Sequence, residues 1–391
     1  MSEIKVNSIK GVAASVAALS INNTDGTCTA NITNKSNKNL LINGSMIVAQ
    51  RSQSATASSS GYPACDRWRV GVGGLDEAVT VAQSALTSSD TPYSSGFRYA
   101  TKITNGNQTS GLGANDFVSF AQRLEGQDIH YSGWNFTSTS SKITVSFWIK
   151  SSVAQTFYSR FRIVEASANK EYVFAVAATT SWQKITKTIS GHTGLNPKSN
   201  NDLGFFWDII LAYGSAYTGS MTLEQWNTVN TSAYVPDMAS TWYTTDNATF
   251  EITGVQLEVS DHATDFEHKS YAQELLLCQR YYRVIKDGSE DNGGYIGYMS
   301  YNYDVNSVVT QINFIPEMRA APTADSTSGT NYYRFYRNSG YVDINSMSTL
   351  NGLGRKGGAF NNADSGNGTA GQSGGIVLNN NNAKIAFSAE L

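Results

Sequence analysis

Between Phe250 and Tyr282 the hydrophobic pattern changes its period, and that change constrains the fold more than any other feature of the chain. Phe250 and Ile252 share one parity, while Val255, Leu257 and Val259 share the other. Successive side chains of a strand point to opposite faces, so strict alternation would turn half of this set to water. One extra residue at Thr253-Gly254 restores the phase: a β-bulge, for which glycine is the preferred residue. Ser270 then opens a helix. Ser270-x-x-Gln273 forms a capping box, in which hydroxyl and amide satisfy free backbone N–H groups. Tyr271, Leu275, Cys278 and Tyr282 follow at intervals of four, three and four, which is one helical face. Leu276 and Leu277 widen that face. The pattern predicts a well-buried helix that plugs the end of a sheet assembly, with Cys278 as a small buried side chain.

Two-residue alternation recurs upstream. In 142–150, Ile143, Val145, Phe147 and Ile149 share a face and Trp148 points the other way. Residues 182–189 bury Ile185 and Ile189 and expose lysines; 172–177 is a shorter β-rich run. Residues 204–211 are apolar on both faces and read as an interior strand. All seven tryptophans lie between Trp68 and Trp242, so a compositional boundary follows. Only 15% of residues are charged, against roughly a quarter in soluble domains; Ser, Thr, Asn and Gly take their place. Many strands joined by many turns indicate a β-sandwich. Past the helix, strand signals continue at 295–303, 307–315, 332–337, 341–344, 375–378 and 383–389, giving a second β-sandwich. Residues 351–375 hold few hydrophobes and are expected to form a long exposed loop or a segment ordered between subunits. Residues 1–39 hold too few large apolar side chains for a core of their own. A strand lent to a neighbour, an inter-subunit stalk, an attachment arm and a flexible terminus all fit this piece. The expected organisation is all-β: an arm over 1–39, a sandwich over 40–269, a linker helix over 270–285 and a β-domain over 286–391.

The same sequence argues against several chemistries. The net charge is −3 and no basic run exists, so no nucleic-acid partner is expected. No stretch of eighteen apolar residues exists, so no membrane-inserted helix is expected; the run 11–19 is Ala-rich and makes a poor signal core. Cys28, Cys65 and Cys278 are odd in number and lack CxxC spacing, against a disulfide framework or zinc site. His130, His192, His262 and His268 form no ligand motif, and hydrogen bonding is the expected role of the corner that holds His262, Asp265, Glu267 and His268. Glu125 with Asp128, and the set Glu258, Asp261, Asp265 and Glu267, are acids without a sign of the opposed pair that glycan hydrolysis uses. No GxSxG or P-loop spacing occurs. The cluster 287–293 reads as a solvated turn rather than a calcium loop. Neither a catalytic residue nor a metal nor a cofactor is expected.

Aromatic side chains are the better lead. Sugars present C–H faces that stack on Trp and Tyr, in shallow sites with a few placed polar groups. Tyr also gives large, rigid contact area at small entropic cost. The candidates in loop-like sequence of the sandwich are Trp134, Tyr217, Trp226 and Trp242, beside Tyr213, Tyr234 and Tyr243. From the tyrosine-rich third region, which also holds Tyr295, Tyr301, Tyr303, Tyr332, Tyr336 and Tyr341, the candidates are Tyr298 and Tyr333. The competing role is packing in cores or at subunit contacts.

Three segments carry a resemblance. They are Ile252-Thr-Gly-Val-Gln-Leu-Glu-Val259 with its continuation to Cys278-Gln-Arg-Tyr281, Leu40-Leu-Ile-Asn-Gly-Ser-Met-Ile-Val-Ala-Gln-Arg51 with Cys65-Asp-Arg-Trp68, and the opening Glu3-Ile-Lys-Val-Asn7. Together they resemble virion structural proteins of tailed bacteriophages, above all tail-fibre and receptor-binding proteins of marine phages. The resemblance implies a jelly roll of the carbohydrate-binding type over 40–282 and an N-terminal arm that attaches to other virion proteins. It also implies a homotrimer that assembles in the host cytoplasm, sits on the virion and adheres to host surface polysaccharide or lipopolysaccharide. Weak sites would then be multiplied by valency. Two further readings stay open: a capsid decoration or fibre protein that stabilises the particle, and a surface-glycan depolymerase, against which the lack of β-helix repeats counts.

Overall fold

The computed structural model describes residues 6–9, 19–21, 24, 28–30, 38–165, 169–349, 352–363 and 368–391. The all-β class holds. Two six-stranded antiparallel sheets form the first unit. Sheet I runs Trp226–Thr228, Lys170–Ala178, Gln155–Ile163, Leu203–Tyr213, Phe117–Glu125, Arg69–Gly73; sheet II runs Gln183–Ser190, Lys142–Ser151, Thr249–Glu258, Tyr99–Thr104, Val79–Ala85, Ser54–Ala57. The chain passes repeatedly from one sheet to the other, the jelly-roll manner of building a sandwich. Their inward rows meet in one core, where Ile143, Val145, Phe147 and Ile149 are all buried. Trp68 stacks on Phe120 at 4.9 Å and meets Trp207 edge-on at 6.0 Å. Each fully buried large side chain of this kind stabilises the fold by about 1.5–3 kcal/mol.

The phase slip in Thr249–Glu258 is a bulge in the structure. Pairing with Lys142–Ser151 shifts register between Thr253 and Gln256, and Gly254 lies at φ 63°. A Cβ there would stand 2.6 Å from the Phe97 ring, so glycine is required twice over, by dihedral and by space.

The helix Tyr271–Gln279 carries the expected capping box on Ser270 and Gln273. Its buried face differs from the expected one. Glu274 and Cys278 point inward, while Tyr271, Leu276 and Leu277 are exposed. The reason is polar: the Glu274 carboxylate accepts the backbone N–H of Asn43, so the helix docks through a hydrogen bond and a thiol rather than through its leucines. Tyr282 belongs to the next strand.

A second core follows. A three-stranded sheet (Tyr282–Asp287, Lys384–Ser388, Thr323–Ala324) packs against a seven-stranded one. The latter runs Gly340–Ile344, Tyr333–Arg337, Ser373–Leu378, Tyr295–Asp304, Ser307–Asn313, Gly357–Ala363, Ser348–Thr349. Ile296, Ile312, Phe314, Phe335, Ile376 and Phe387 fill the space between. Gly357–Ala363 overturns the expectation of a loop there, since it pairs along its length with Ser307–Asn313. Ladder hydrogen bonds come from the backbone, so a strand can form with few apolar side chains when a neighbour supplies the template. Within the expected arm, Ser8–Ile9, Leu19–Ile21 and Cys28–Ala30 form a small antiparallel sheet; the rest of 1–37 apart from Val6, Asn7 and Thr24 lies outside the described residues.

Candidate ligand-binding surface

A sandwich offers ligands the outer faces of its sheets. On sheet I, alternation turns Arg160 and Arg162 outward while Phe161 points to the core. Arg160 pairs across the ladder with Asp208 and Val173, and Arg162 with Phe206 and Glu171. The Arg160 Nε and Nη2 donate to the two Asp208 oxygens at 3.1 and 2.6 Å; Arg162 Nη2 donates to Glu171 at 3.0 Å. Burial raises the Glu171 carboxyl pKa even with both guanidinium groups beside it. The face is closed by the chain's own segment 214–238. Val235, Tyr217 and Tyr234 pack on Ile210, Val173 and Tyr213, and the Tyr234 ring lies 5.1 and 4.7 Å from the two guanidinium carbons. Tyr217 therefore stacks on Tyr234 at 6.2 Å and serves as part of this cover, half-buried, not as an open platform.

The other sandwich candidates are corrected in the same direction. Trp242 is buried, brought into the core by the short helix Thr241–Thr244 and set edge-on to Phe157. Trp134 is buried beside Trp226. Trp226 is half-buried, donates its Nε1–H to the Ser190 carbonyl at 2.9 Å and packs on Tyr172. Loops that close the ends of a sandwich need large apolar side chains, and loop-like sequence around a tryptophan does not distinguish that duty from ligand contact. In the second unit Tyr333 is fully buried, its hydroxyl donating to the Lys384 carbonyl at 3.0 Å. The Tyr298 side chain lies outside the described residues.

The acids serve structure. Glu125 accepts from Arg280 Nε and Nη2 at 2.7 and 2.8 Å and from the Tyr281 hydroxyl at 2.7 Å. Burial alone would raise its carboxyl pKa, yet these bonds hold it below the ordinary value. Burial, helped by the Glu125 charge, pushes Asp128 up to about 6. Glu258 accepts from the Thr264 backbone and hydroxyl at 2.9 and 2.7 Å. His268 bonds the Ser95 carbonyl at 3.0 Å, and His262 pairs with Asp261 at 2.7 Å.

Exposed aromatic surface gathers elsewhere, on the outer face of the seven-stranded sheet. Tyr295, Tyr336 and Tyr341 are 62%, 40% and 59% exposed and stand round a groove of about 930 Å³ with Met299 as a further apolar wall. Register explains the grouping. Tyr336 pairs with Tyr341 on one side and with Gly375 on the other. Gly375 has no side chain, so the Tyr295 ring lies over it. The rings of Tyr336 and Tyr341 sit 6.0 Å apart at 67°. Arg334 holds Tyr341 from behind: its guanidinium lies 3.9 Å from the ring centre and is itself fixed by Asp343 at 2.6 and 3.1 Å. One end of the groove is the turn Asn338-Ser339, both at positive φ, as a two-residue hairpin turn requires. Phenols, a thioether and the amide and hydroxyl of that turn suit the holding of a polyhydroxylated ligand.

These three tyrosines belonged to the tyrosine-rich set but were not among the candidates singled out from it. Parity was the available signal. In 332–337 Phe335 marks the inward row, which places Tyr333 inside with it and Tyr336 outside with Arg334.

No family model matches the chain, and no curated protein matches it. Among solved structures it is similar to a family 11 carbohydrate-binding module of a cellulosomal cellulase from Clostridium thermocellum (11% identity, 55% of this chain, 98% of that one, TM-score 0.28). It is similar also to the N-terminal cellulose-binding domain of Cellulomonas fimi β-1,4-glucanase C (10% identity, 55% of this chain, 98% of that one, TM-score 0.28). A third is the enzymatically active domain of tailspike protein 4 from bacteriophage CBA120, at 10% identity and TM-score 0.31; the alignment spans 57% of this chain and 21% of that one. All three scores are low, and the β-sandwich assignment rests on the strand pairing itself.

Proposed function

We propose that this chain is an adhesive virion protein of a tailed bacteriophage, a tail fibre or receptor-binding appendage. In this reading it holds host surface polysaccharide or lipopolysaccharide through the Tyr295–Tyr336–Tyr341 groove without cleaving it. The observation that carries the reading is the set of three exposed phenol rings around one groove on the outer face of the seven-stranded sheet. The resemblance of the 252–281 and 40–68 segments to phage tail-fibre proteins supports the virion setting. The N-terminal arm would attach to neighbouring virion proteins and a homotrimer would present three grooves, so that weak sites add by effective concentration.

Binding of the purified protein to susceptible cells and to their extracted polysaccharide tests the reading. Binding is expected for the native chain and loss of binding for the Tyr336→Ala/Tyr341→Ala variant, with no reducing ends released. Released ends would favour a depolymerase. Electron-microscopic location of the protein, with a copy number that follows the capsid lattice, would favour a decoration protein.

A further inference from the structure

We propose that the chain carries a second, separate binding site: a pocket for a single neutral hexose on the outer face of sheet II, beside the bulge at Gly254. Trp148 points outward there because Phe147 and Ile149 point into the core. Its cross-strand partners are Lys184 on one side and Thr253, at the bulge, on the other. The chain leaving Thr249–Glu258 doubles back over this face and is pinned there. The Gln256 side chain accepts the Glu267 N–H at 2.8 Å and donates to the Asp265 carbonyl at 3.3 Å. Phe97, Phe266 and His268 form a ring cluster with centroids 4.9–5.1 Å apart, which fixes the hood.

The result is a cavity of about 260 Å³ whose apolar walls are Trp148, Phe97 and Phe266. Ser95, Ser146, Lys184, Asp265 and His268 supply the polar groups, with His268 held on the Ser95 carbonyl. Sites for drug-sized ligands run to about 300–1,000 Å³, so this space fits one ring and not an oligosaccharide. Among the described residues, neither the Lys184 ammonium nor the Asp265 carboxylate has a hydrogen-bond or ion-pair partner. A donor residue and an acceptor residue line a space with an aromatic wall, the arrangement that takes adjacent hydroxyls of a pyranose while its C–H face lies on the indole. The Lys184 and Asp265 charges offset each other, and the Lys38 ammonium beside them is taken up by the Thr264 hydroxyl and the Asp265 carbonyl, so a neutral sugar is selected over a uronic acid. The site uses none of the groove tyrosines and stands or falls apart from them.

The test is saturation-transfer NMR on the full chain with the methyl glycosides of glucose, galactose and mannose, and with methyl glucuronide as the anionic comparison. One neutral glycoside is expected to bind saturably. Its affinity should fall at least fivefold in Lys184→Ala and in Asp265→Ala, and stay unchanged in Tyr336→Ala/Tyr341→Ala. Both pocket substitutions remove exposed side chains, so the fold survives them. The proposal is overturned by no binding of any neutral glycoside, by binding indifferent to both pocket variants, or by preference for the glucuronide. Loss of binding in the tyrosine variant alone also overturns it and assigns the sugar to the groove. Cell adhesion, lost or kept in the tyrosine variant, reports on the groove independently.

Discussion

The sharpest test of the groove is the removal of its two hairpin rings, Tyr336→Ala/Tyr341→Ala. The rings are 40% and 59% exposed. A tyrosine buries about 150–250 Å² when fully covered, so roughly 80 and 120 Å² stand open on the two. A pyranose face covers about half of that, and at about 25 cal/mol per Å² the loss is roughly 1 and 1.5 kcal/mol. Together that is about 2.5 kcal/mol, or up to about seventyfold in affinity, with every 1.4 kcal/mol worth tenfold. Area converts incompletely in real sites, so the expected loss lies between about tenfold and about seventyfold. The measurement is calorimetric titration with a monovalent oligosaccharide from the host polysaccharide, paired with thermal unfolding. Neither ring contributes to the second core, so the unfolding curve should not move. Tyr336→Phe keeps the stacking surface and should keep most of the affinity. A loss below threefold in the double variant, with the fold intact, refutes the reasoning. In a multivalent particle, adhesion to cells should fall more steeply than oligosaccharide affinity, because avidity compounds the loss at each site.

Three further outcomes are expected. Gly254→Ala forces a Cβ into the Phe97 ring at a left-handed dihedral and should destabilise the sandwich by about 1–3 kcal/mol in urea unfolding. Glu125→Gln removes the charged acceptor of Arg280 and Tyr281. The site is buried on the Glu125 side and partly open on the Arg280 side, so the cost should be about 2–4 kcal/mol, read from the same assay; an unchanged midpoint contradicts the assignment. Burial pushes Asp66 from 3.8 up to about 6. The folded chain therefore holds a proton that the unfolded chain has already released, and this group's contribution to stability falls as pH rises between about 4 and 6. Asp66→Asn should remove that slope, at most about 1.4 kcal/mol per pH unit, from the difference between unfolding curves measured at pH 4 and pH 6.5.

What was legible in the sequence was whatever depends on neighbours along the chain. The inward row of 142–150, the interior strand at 204–211, the bulge at Gly254 and the Ser270 cap all follow from local period and local hydrogen bonding, and all are in the structure. The helix face was misjudged because its docking partner, the Asn43 backbone, is 231 residues away and selects Glu274 over the leucines. The strand Gly357–Ala363 was missed because its template lies in Ser307–Asn313 and no hydrophobic signal of its own announces it. Tryptophans near turns looked available because burial at the ends of a sandwich is a property of the closed fold. The groove needed one more step, the use of the parity of Phe335 to tell outward from inward tyrosines. The position of Gly375 beneath Tyr295 was beyond reach without the register.

Residues 40–68 and 252–281 are far apart in sequence, yet they meet where the two units join. Trp68 donates to the Asn43 carbonyl at 2.8 Å, and Asp66 accepts the Gln50 backbone N–H at 2.9 Å. Arg67 lies 3.4 Å from the centre of the Tyr281 ring, and Arg51 lies 3.6 Å from that of Tyr282. Both arginines also pair with Glu390 of the second unit, and Lys384 donates to the Gln50 carbonyl at 3.0 Å. Arg319 binds the carbonyls of Asn201, Ala389 and Glu390 at 2.7–3.0 Å, tying the same joint from the other side. The buried Arg67 would cost several kcal/mol without its carboxylate, so parting the units is penalised at this point above all. These residues thus build the seam that holds the second unit on the sandwich, and not the surface that the second unit presents.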